Sequence, residues 1–246
     1  MRSLVCLLIL LLIGALPAYG QAQFSGISGD LSAEAAFSNL GGGTLRVRVT
    51  NTSPFDVQAP EDVLTAVFFN VEGDPGLTEQ SAILSPGSSV IHGGSDPGGV
   101  VGGEWGFAQD PLGLATFNGL ARNYGISSSG FSIFGSATFP GSNLDDPEAL
   151  NGLNYGIVSI GDDPLTGNAK VTGGEPLIQY GVDFTFTGLQ ADLDLSKVSD
   201  VWFQYGTDLN EPGYPGTPST VPEPGTLGLL CCGVAPIARR LYRKKG

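Results

Sequence analysis

Residues 44–50 read TLRVRVT, a run in which apolar and polar side chains alternate strictly. Successive side chains of a β-strand point to opposite faces, so the leucine and two valines share one face and the two arginines share the other. The same alternation recurs in residues 180–187, YGVDFTFT, where Val182, Phe184 and Phe186 fall on one face. Both patterns predict strands with one buried and one more polar face.

The residues around these two runs also favour strands. The chain has 38 glycines in 246 residues, about twice the usual share of roughly 7%, and its apolar runs are short and bounded by turn-forming residues. Further strands are predicted at residues 63–71, 82–91, 104–108, 130–137, 154–160, 178–188 and 201–205. Ser85-Pro86-Gly87 predicts a hairpin turn inside the second of these runs, and Leu114–Arg122 is the one modest helix candidate. We therefore expect an all-β fold, an antiparallel β-sandwich or jelly-roll-like domain.

The N-terminal residues have the order of a secretory signal. A single positive charge, Arg2, precedes an apolar run from Leu4 to Leu16 and the small residues around Tyr19. Residues 1–20 are therefore predicted to form a signal peptide with an apolar signal helix. Cleavage after Gly20 gives a mature chain that starts at residue 21, with cleavage after Ala22 as the near alternative.

The C-terminal residues 221–246 combine a Pro-Glu-Pro motif, an apolar segment and a basic tail. The motif is Val221, Pro222, Glu223 and Pro224, the apolar segment spans residues 226–238, and the tail carries Arg239, Arg240, Arg243, Lys244 and Lys245. Basic residues resist translocation, so we expect this tail to stay in the cytoplasm while the body is exported. Roughly 12 apolar residues form a short helix of about 18 Å, whereas a hydrocarbon core is about 30 Å thick. A transient retention and sorting signal fits that length better than a permanent transmembrane helix.

The body between these signals is predicted as an extracellular domain over residues 21–211, followed by a Gly-, Pro-, Ser- and Thr-rich tether over residues 212–220. Residues 21–220 carry five basic and 23 acidic residues, a net charge of −18. Such a surface repels nucleic acid and suits either divalent cations or a solvated exterior. The body has no cysteine and a single histidine, His92, which argues against disulfides, zinc sites and His-based catalysis. No catalytic residue is assigned.

Two sets of residues are candidate binding groups. Asp145 and Asp146, and likewise Asp162 and Asp163, lie in Asp-Asp-Pro turns, and their oxygens could bind Ca²⁺ or simply be solvated. Trp105 and Trp202 could stack on sugar rings if they were exposed, or belong to the core like most aromatic residues.

The repeated tetrapeptide Asn-Tyr-Gly-Ile, at residues 123–126 and 154–157, predicts either a glycine that makes room for an aromatic neighbour in a sheet or a duplicated ligand-binding unit.

The order of motif, apolar segment and basic tail from Val221 onward resembles the PEP-CTERM sorting signal. The body is similar to one subgroup of exosortase-dependent surface proteins through residues 51–57, 62–65, 103–105, 123–127 and 203–207. Cys231, Cys232 and Pro236 depart from the Leu-, Gly- and Ala-rich apolar segment that is usual in this family. The resemblance implies a Gram-negative source that makes exopolysaccharide, and processing by exosortase in addition to signal peptidase.

The sequence therefore predicts a secreted or cell-surface structural protein that passes transiently through the inner membrane and associates with exopolysaccharide or a biofilm matrix. It is expected not to be an enzyme, to need no cofactor apart from a possible Ca²⁺ ion, and to bind no nucleic acid. The alternative is a calcium-dependent or aromatic carbohydrate-binding module. A secreted hydrolase is the third hypothesis, because glycosidase chemistry needs only two facing carboxylates.

Overall fold

The computed structural model describes residues 21–135, 138–190 and 194–219, and this part of the chain is all-β. Its strands are β1 Gln21–Ser28, β2 Leu31–Gly41, β3 Thr44–Asn51, β4 Leu64–Val71, β5 Thr78–Leu84, β6 Ser89–Ile91, β7 Gly106–Gln109, β8 Ala115–Phe117, β9 Leu120–Arg122, β10 Tyr124–Ser127, β11 Ile157–Val158, β12 Leu177–Gln179, β13 Gly181–Thr187, β14 Val198–Tyr205, β15 Gly213–Pro215 and β16 Thr217–Ser219. Short 3₁₀ turns lie at Pro60–Asp62, Pro97–Gly99, Gly102–Glu104 and Leu195–Lys197. The predicted signal helix and C-terminal apolar helix lie outside the described residues. Within them, no helix has the length and apolarity to cross a membrane.

Two sheets account for fourteen of these strands. The first sheet has the order β16-β1-β2-β3-β13-β5 and is antiparallel throughout. The second has the order β15-β14-β4-β11-β12-β6, and β10 pairs with both β4 and β7. Its β11 and β12 run parallel to each other, so this sheet is mixed. The antiparallel prediction therefore describes the first sheet fully and the second only in part.

Side chains of both sheets meet in one apolar core. Phe37 of β2 packs edge-on against Phe69 of β4, with ring centroids 5.1 Å apart. Phe186 of β13 packs against Phe107 of β7 at 4.8 Å. The faces predicted from alternation are confirmed, because Leu45, Val47 and Val49 of β3 and Val182, Phe184 and Phe186 of β13 all belong to this core.

The repeated Asn-Tyr-Gly-Ile units lie one after the other along the same edge of β4. Gly125 of the first unit pairs with Phe68, and a Cβ at this glycine would lie 2.9 Å from the Phe68 ring. Ile157 of the second unit pairs with Leu64, and both tyrosines are fully buried. The first unit fits the sheet explanation of the repeat, since Gly125 leaves room for the Phe68 and Phe134 rings, whereas the side chains nearest to Gly156 are Val63 and Thr65.

The helix predicted at Leu114–Arg122 is wrong, because these residues form the hairpin of β8 and β9. Asn118 and Gly119 connect the two strands with φ angles of 51° and 77°. An Asn-Gly pair tolerates positive φ at both central positions of a two-residue hairpin turn, and is therefore a strong hairpin signal. Local turn chemistry thus outweighs the weak helical pattern of the flanking residues.

The hairpin predicted around Ser85-Pro86-Gly87 is also wrong. The turn exists, with the Ser88 amide donating to the Ser85 carbonyl at 2.9 Å. However, β5 before it pairs with β13 in the first sheet, and β6 after it pairs with β12 in the second. The turn therefore carries the chain from one sheet to the other.

Two other predicted segments differ from the structure. Residues 130–137 contain a turn rather than a strand in their described part, with positive φ angles at Phe131 and Ser132. Most of the predicted tether is extended but paired: β15 pairs with β14, and β16 pairs with β1. The folded part of the chain therefore continues to Ser219.

Candidate functional site

Two loops meet at the end of the second sheet. The first loop, residues 52–63, connects β3 to β4, and the second loop, residues 159–176, connects β11 to β12. The Asn168 amide of the second loop donates to the Gln58 carbonyl of the first at 2.9 Å. Gly161 allows the backbones to approach closely, since a Cβ there would lie 2.2 Å from the Pro54 carbonyl oxygen. The loops are therefore held together by their backbones.

The Asp56 side chain of the first loop accepts hydrogen bonds from the second loop. Its Oδ1 accepts a hydrogen bond from the Asp163 amide at 2.8 Å. Its Oδ2 accepts from the Thr166 hydroxyl and from the Gln58 side-chain amide. The hydrogen bonds from Thr166 and Asp163 lower the pKa of Asp56, because they favour the charged carboxylate.

Asp162 approaches Asp56 from the second loop. Only 8% of its surface is exposed, and its Oδ1 accepts a hydrogen bond from the Val57 amide at 3.2 Å. Its Oδ2 is buried and has no hydrogen-bond partner among the described residues. The two aspartates are neighbours, because Asp162 accepts from the amide that follows Asp56 and Asp56 accepts from the amide that follows Asp162. Burial raises the pKa of Asp162 to about 6, and the neighbouring Asp56 adds to this shift.

A small cavity of about 100 Å³ lies beside Asp56, and its lining also includes Asp30, Asp62 and Ser159. The Asp62 carboxylate already has backbone hydrogen-bond donors, because its Oδ2 accepts from the Gln58 and Ala59 amides, each at 3.1 Å. The cavity wall is thus acidic. None of the ion pairs found in the described residues includes any of its three aspartates.

The four aspartates predicted as metal ligands do not come together. Asp145 accepts a hydrogen bond from the Asn154 side chain at 3.1 Å, and Asp146 is exposed. The Asp163 carboxylate accepts from the Leu165 amide at 3.1 Å instead of facing Asp162. In the described ranges, no three side chains of His, Cys, Asp or Glu are grouped as a metal site. The residue that sequence reasoning missed is Asp56, which meets Asp162 from 106 positions away.

Trp105 and Trp202 lie in the interior, so the predicted aromatic carbohydrate platform is wrong. Trp105 is 1% exposed and packs edge-on against Phe184. Trp202 is 7% exposed, stacks on Phe117 at 4.8 Å, and lies beside the Arg122 guanidinium. Sugar stacking requires an exposed ring face, which neither tryptophan offers.

The remaining candidates lie at the chain termini. The sorting motif Val221, Pro222, Glu223 and Pro224, and the basic tail from Arg239 to Lys245, lie outside the described residues. No family model, no curated protein and no solved structure compared with this chain matches it.

Proposed function

We propose that the chain is the precursor of an exported, non-enzymatic structural protein of the cell surface or extracellular matrix, sorted and cleaved by exosortase and associated with exopolysaccharide. The observation that carries the proposal is the order of its three parts. An apolar N-terminal signal precedes an acidic, cysteine-free body, and the Pro-Glu-Pro motif, apolar segment and basic tail follow. Each end independently favours export.

The architecture of the body is consistent with this role. The described residues next to both predicted signals belong to the folded body, because β1 and β16 pair with each other in the first sheet. We propose that the two sheets form a β-sandwich related to jelly rolls, since aromatic side chains of both fill one core. A domain of this kind is stabilised by its own packing rather than by disulfides.

Intact-mass analysis of the protein isolated from its native host tests the proposal. The expected mature form begins near residue 21 and ends within or next to residues 221–224. Replacing Pro222, Glu223 and Pro224 with alanine should leave the C-terminal segment attached, whereas Pro218→Ala, just outside the motif, should leave processing unchanged. A native protein that keeps its full basic tail and remains in the cytoplasm would contradict the proposal.

A further inference from the structure

A groove lined by polar side chains lies at the opposite end of β4 from the first loop. It is formed by the end of β4, the connection from β4 to β5 and the residues around the start of β14, and its volume is about 460 Å³. Pockets that hold small molecules have volumes of roughly 300–1,000 Å³. This polar groove therefore has the size of a ligand site. Its polar lining includes Glu72, Asp74, Asn123, Ser196, Lys197 and Ser199.

Hydrogen bonds hold the backbone of the polar groove in place. The Glu72 amide donates to the Lys197 carbonyl at 3.0 Å, and the Asp74 amide donates to the Val71 carbonyl at 3.1 Å. The Tyr124 hydroxyl donates to Asp74 Oδ1 at 2.6 Å and so orients this carboxylate. A site that is already ordered loses less entropy when a ligand binds. The polar groove is therefore organised for binding in the free protein.

The side chains of the polar groove offer both donors and acceptors. Glu72 and Asp74 supply carboxylate oxygens, and Lys197 supplies N–H donors. The Asn123 amide and the two serine hydroxyls both donate and accept. Lys197 Nζ lies 3.8 Å from Glu72 Oε1, and the two side chains are 42% and 74% exposed. Because such an exposed ion pair contributes little, both groups are available to a ligand.

A ring of hydroxyl groups complements this mixed lining, because each hydroxyl donates one hydrogen bond and accepts others. The net charge of −18 over residues 21–220 repels polyanions. We propose that the polar groove binds a sugar residue of an uncharged polysaccharide through hydrogen bonds to its hydroxyl groups. This inference rests on the proposed association with exopolysaccharide, for which it names the binding surface and the class of polymer.

Affinity electrophoresis of the purified full chain tests the proposal. A single sugar ring held only by hydrogen bonds is expected to bind with a Kd of about 1 mM, and retardation in a gel that contains a polymer reports binding of this strength. One native gel contains dextran and another contains galactomannan, which together present glucose, mannose and galactose. A third gel contains alginate, which is acidic. At least one neutral polymer should retard the protein, and alginate should not.

Two double variants separate the polar groove from the rest of the surface. Glu72→Ala combined with Lys197→Ala removes two groups of the groove and should weaken the retardation at least about tenfold. Lys170→Ala combined with Glu175→Ala is the matched control, since it removes an exposed ion pair of the second loop and should keep the full retardation. Each double variant loses one positive and one negative charge, so gel mobility without polymer is unchanged. All four side chains are partly or largely exposed, so the melting temperatures should stay close to that of the wild type.

Three results would overturn the proposal. One is that neither neutral polymer retards the wild type. The second is equal retardation of the two double variants, which would mean that the polymer binds outside the polar groove. The third is retardation by alginate alone, which would mean that the protein selects an acidic polymer. None of these results would affect the proposed export and sorting, because intact-mass analysis tests those independently.

Discussion

Asp183 and Asp162 are both carboxylates with less than a tenth of their surface exposed, yet their surroundings differ sharply. Asp183 receives two hydrogen bonds from Arg48, at 2.6 and 2.7 Å, and a third from the Ser85 hydroxyl at 2.6 Å. Burial raises the pKa of Asp183, but the hydrogen bonds and charge of Arg48 outweigh it, so the net shift is downward. Asp162 has no comparable partner, and its pKa is raised.

The Asp183 pair predicts a loss of stability in acid. The pKa of Asp183 is lower in the folded state than in the unfolded chain. The stabilisation that its charged form gives the folded protein is therefore fully present above the ordinary pKa of an aspartate, and it is lost as the pH falls through the folded-state pKa. Asp183→Asn should cost about 2 kcal/mol at pH 7, less than a fully buried pair because Arg48 is one-third exposed. Between pH 5 and pH 2.5, urea unfolding should show a larger loss for the wild type than for this variant.

Glu175→Gln is the control for this measurement. It breaks the Lys170–Glu175 pair, in which the lysine side chain is 65% exposed. Exposed pairs contribute about 0–1 kcal/mol. Equal acid sensitivity of the wild type and Asp183→Asn would show that Asp183 does not carry the effect.

Gly125 gives a second prediction at this scale. A Cβ there would lie 2.8–2.9 Å from Phe134, Leu114 and Phe68, three side chains of one packed cluster. Gly125→Ala should therefore destabilise the protein by about 1–3 kcal/mol through overpacking. Gly76→Ala, where a Cβ would meet nothing within 4 Å, should change the unfolding free energy by much less. Equal effects in urea titrations would refute the packing explanation.

Among the elements, the two short C-terminal strands differ most from what their composition predicts. Residues 212–220 are rich in Gly, Pro, Ser and Thr, yet Tyr214 of β15 is 6% exposed. Its hydroxyl bonds to the Tyr205 hydroxyl at 2.7 Å, and its ring packs against Phe203. Gly26 of β1 allows this placement, because a Cβ there would lie 2.7 Å from the Tyr214 ring. One aromatic anchor therefore makes this segment part of the fold.

Removing this anchor should weaken the whole sheet edge. Tyr214→Ala should cost about 3 kcal/mol or more, as expected for a buried aromatic side chain. It should also raise the hydrogen exchange of β16 amides, since β16 is held only by β1 in the described sheet. The exposed neighbour Pro215→Ala should have little effect on either measurement. Unchanged exchange in Tyr214→Ala would show that β16 holds independently of β15.

The strands that sequence patterns predicted well are those with one buried face. Alternation in β3 and β13 identified the residues that face the apolar core correctly, because a period of two is a local property; it did not show that Asp183, on the opposite face, is also buried. The strand with which β6 pairs was not predictable in this way, since its partner, Leu177–Gln179, lies almost 90 positions away in the sequence. Asp56 was missed for the same reason, because its contacts with the second loop are between residues that are far apart in the sequence. The hairpin at Asn118-Gly119, by contrast, had a local signal that a helical interpretation overlooked.

At the scale of the whole molecule, charge is the dominant feature, with a net of −18 over residues 21–220. Self-repulsion of this size destabilises a compact state, and salt screens it over about 10 Å at 0.1 M. Raising NaCl from 20 to 300 mM should therefore increase the melting temperature by a few degrees. Asp146→Asn combined with Glu148→Gln, both exposed, should reduce that increase. A melting temperature that falls with salt would mean that ion pairs outweigh the repulsion.

The pairing of β16 with β1 also has a mechanical consequence. The strands are antiparallel, with Gln23 opposite Ser219, so both ends of the folded domain leave from the same end of one sheet. A pulling force applied between Gln21 and Ser219 acts across these strands, and their hydrogen bonds would break one after another, as in a zipper. By contrast, when a force slides two paired strands past each other along their length, all of their hydrogen bonds share it at once. Under tension between its two ends, this domain would yield first at β16, and the freed residues would lengthen its attachment while the core stays folded.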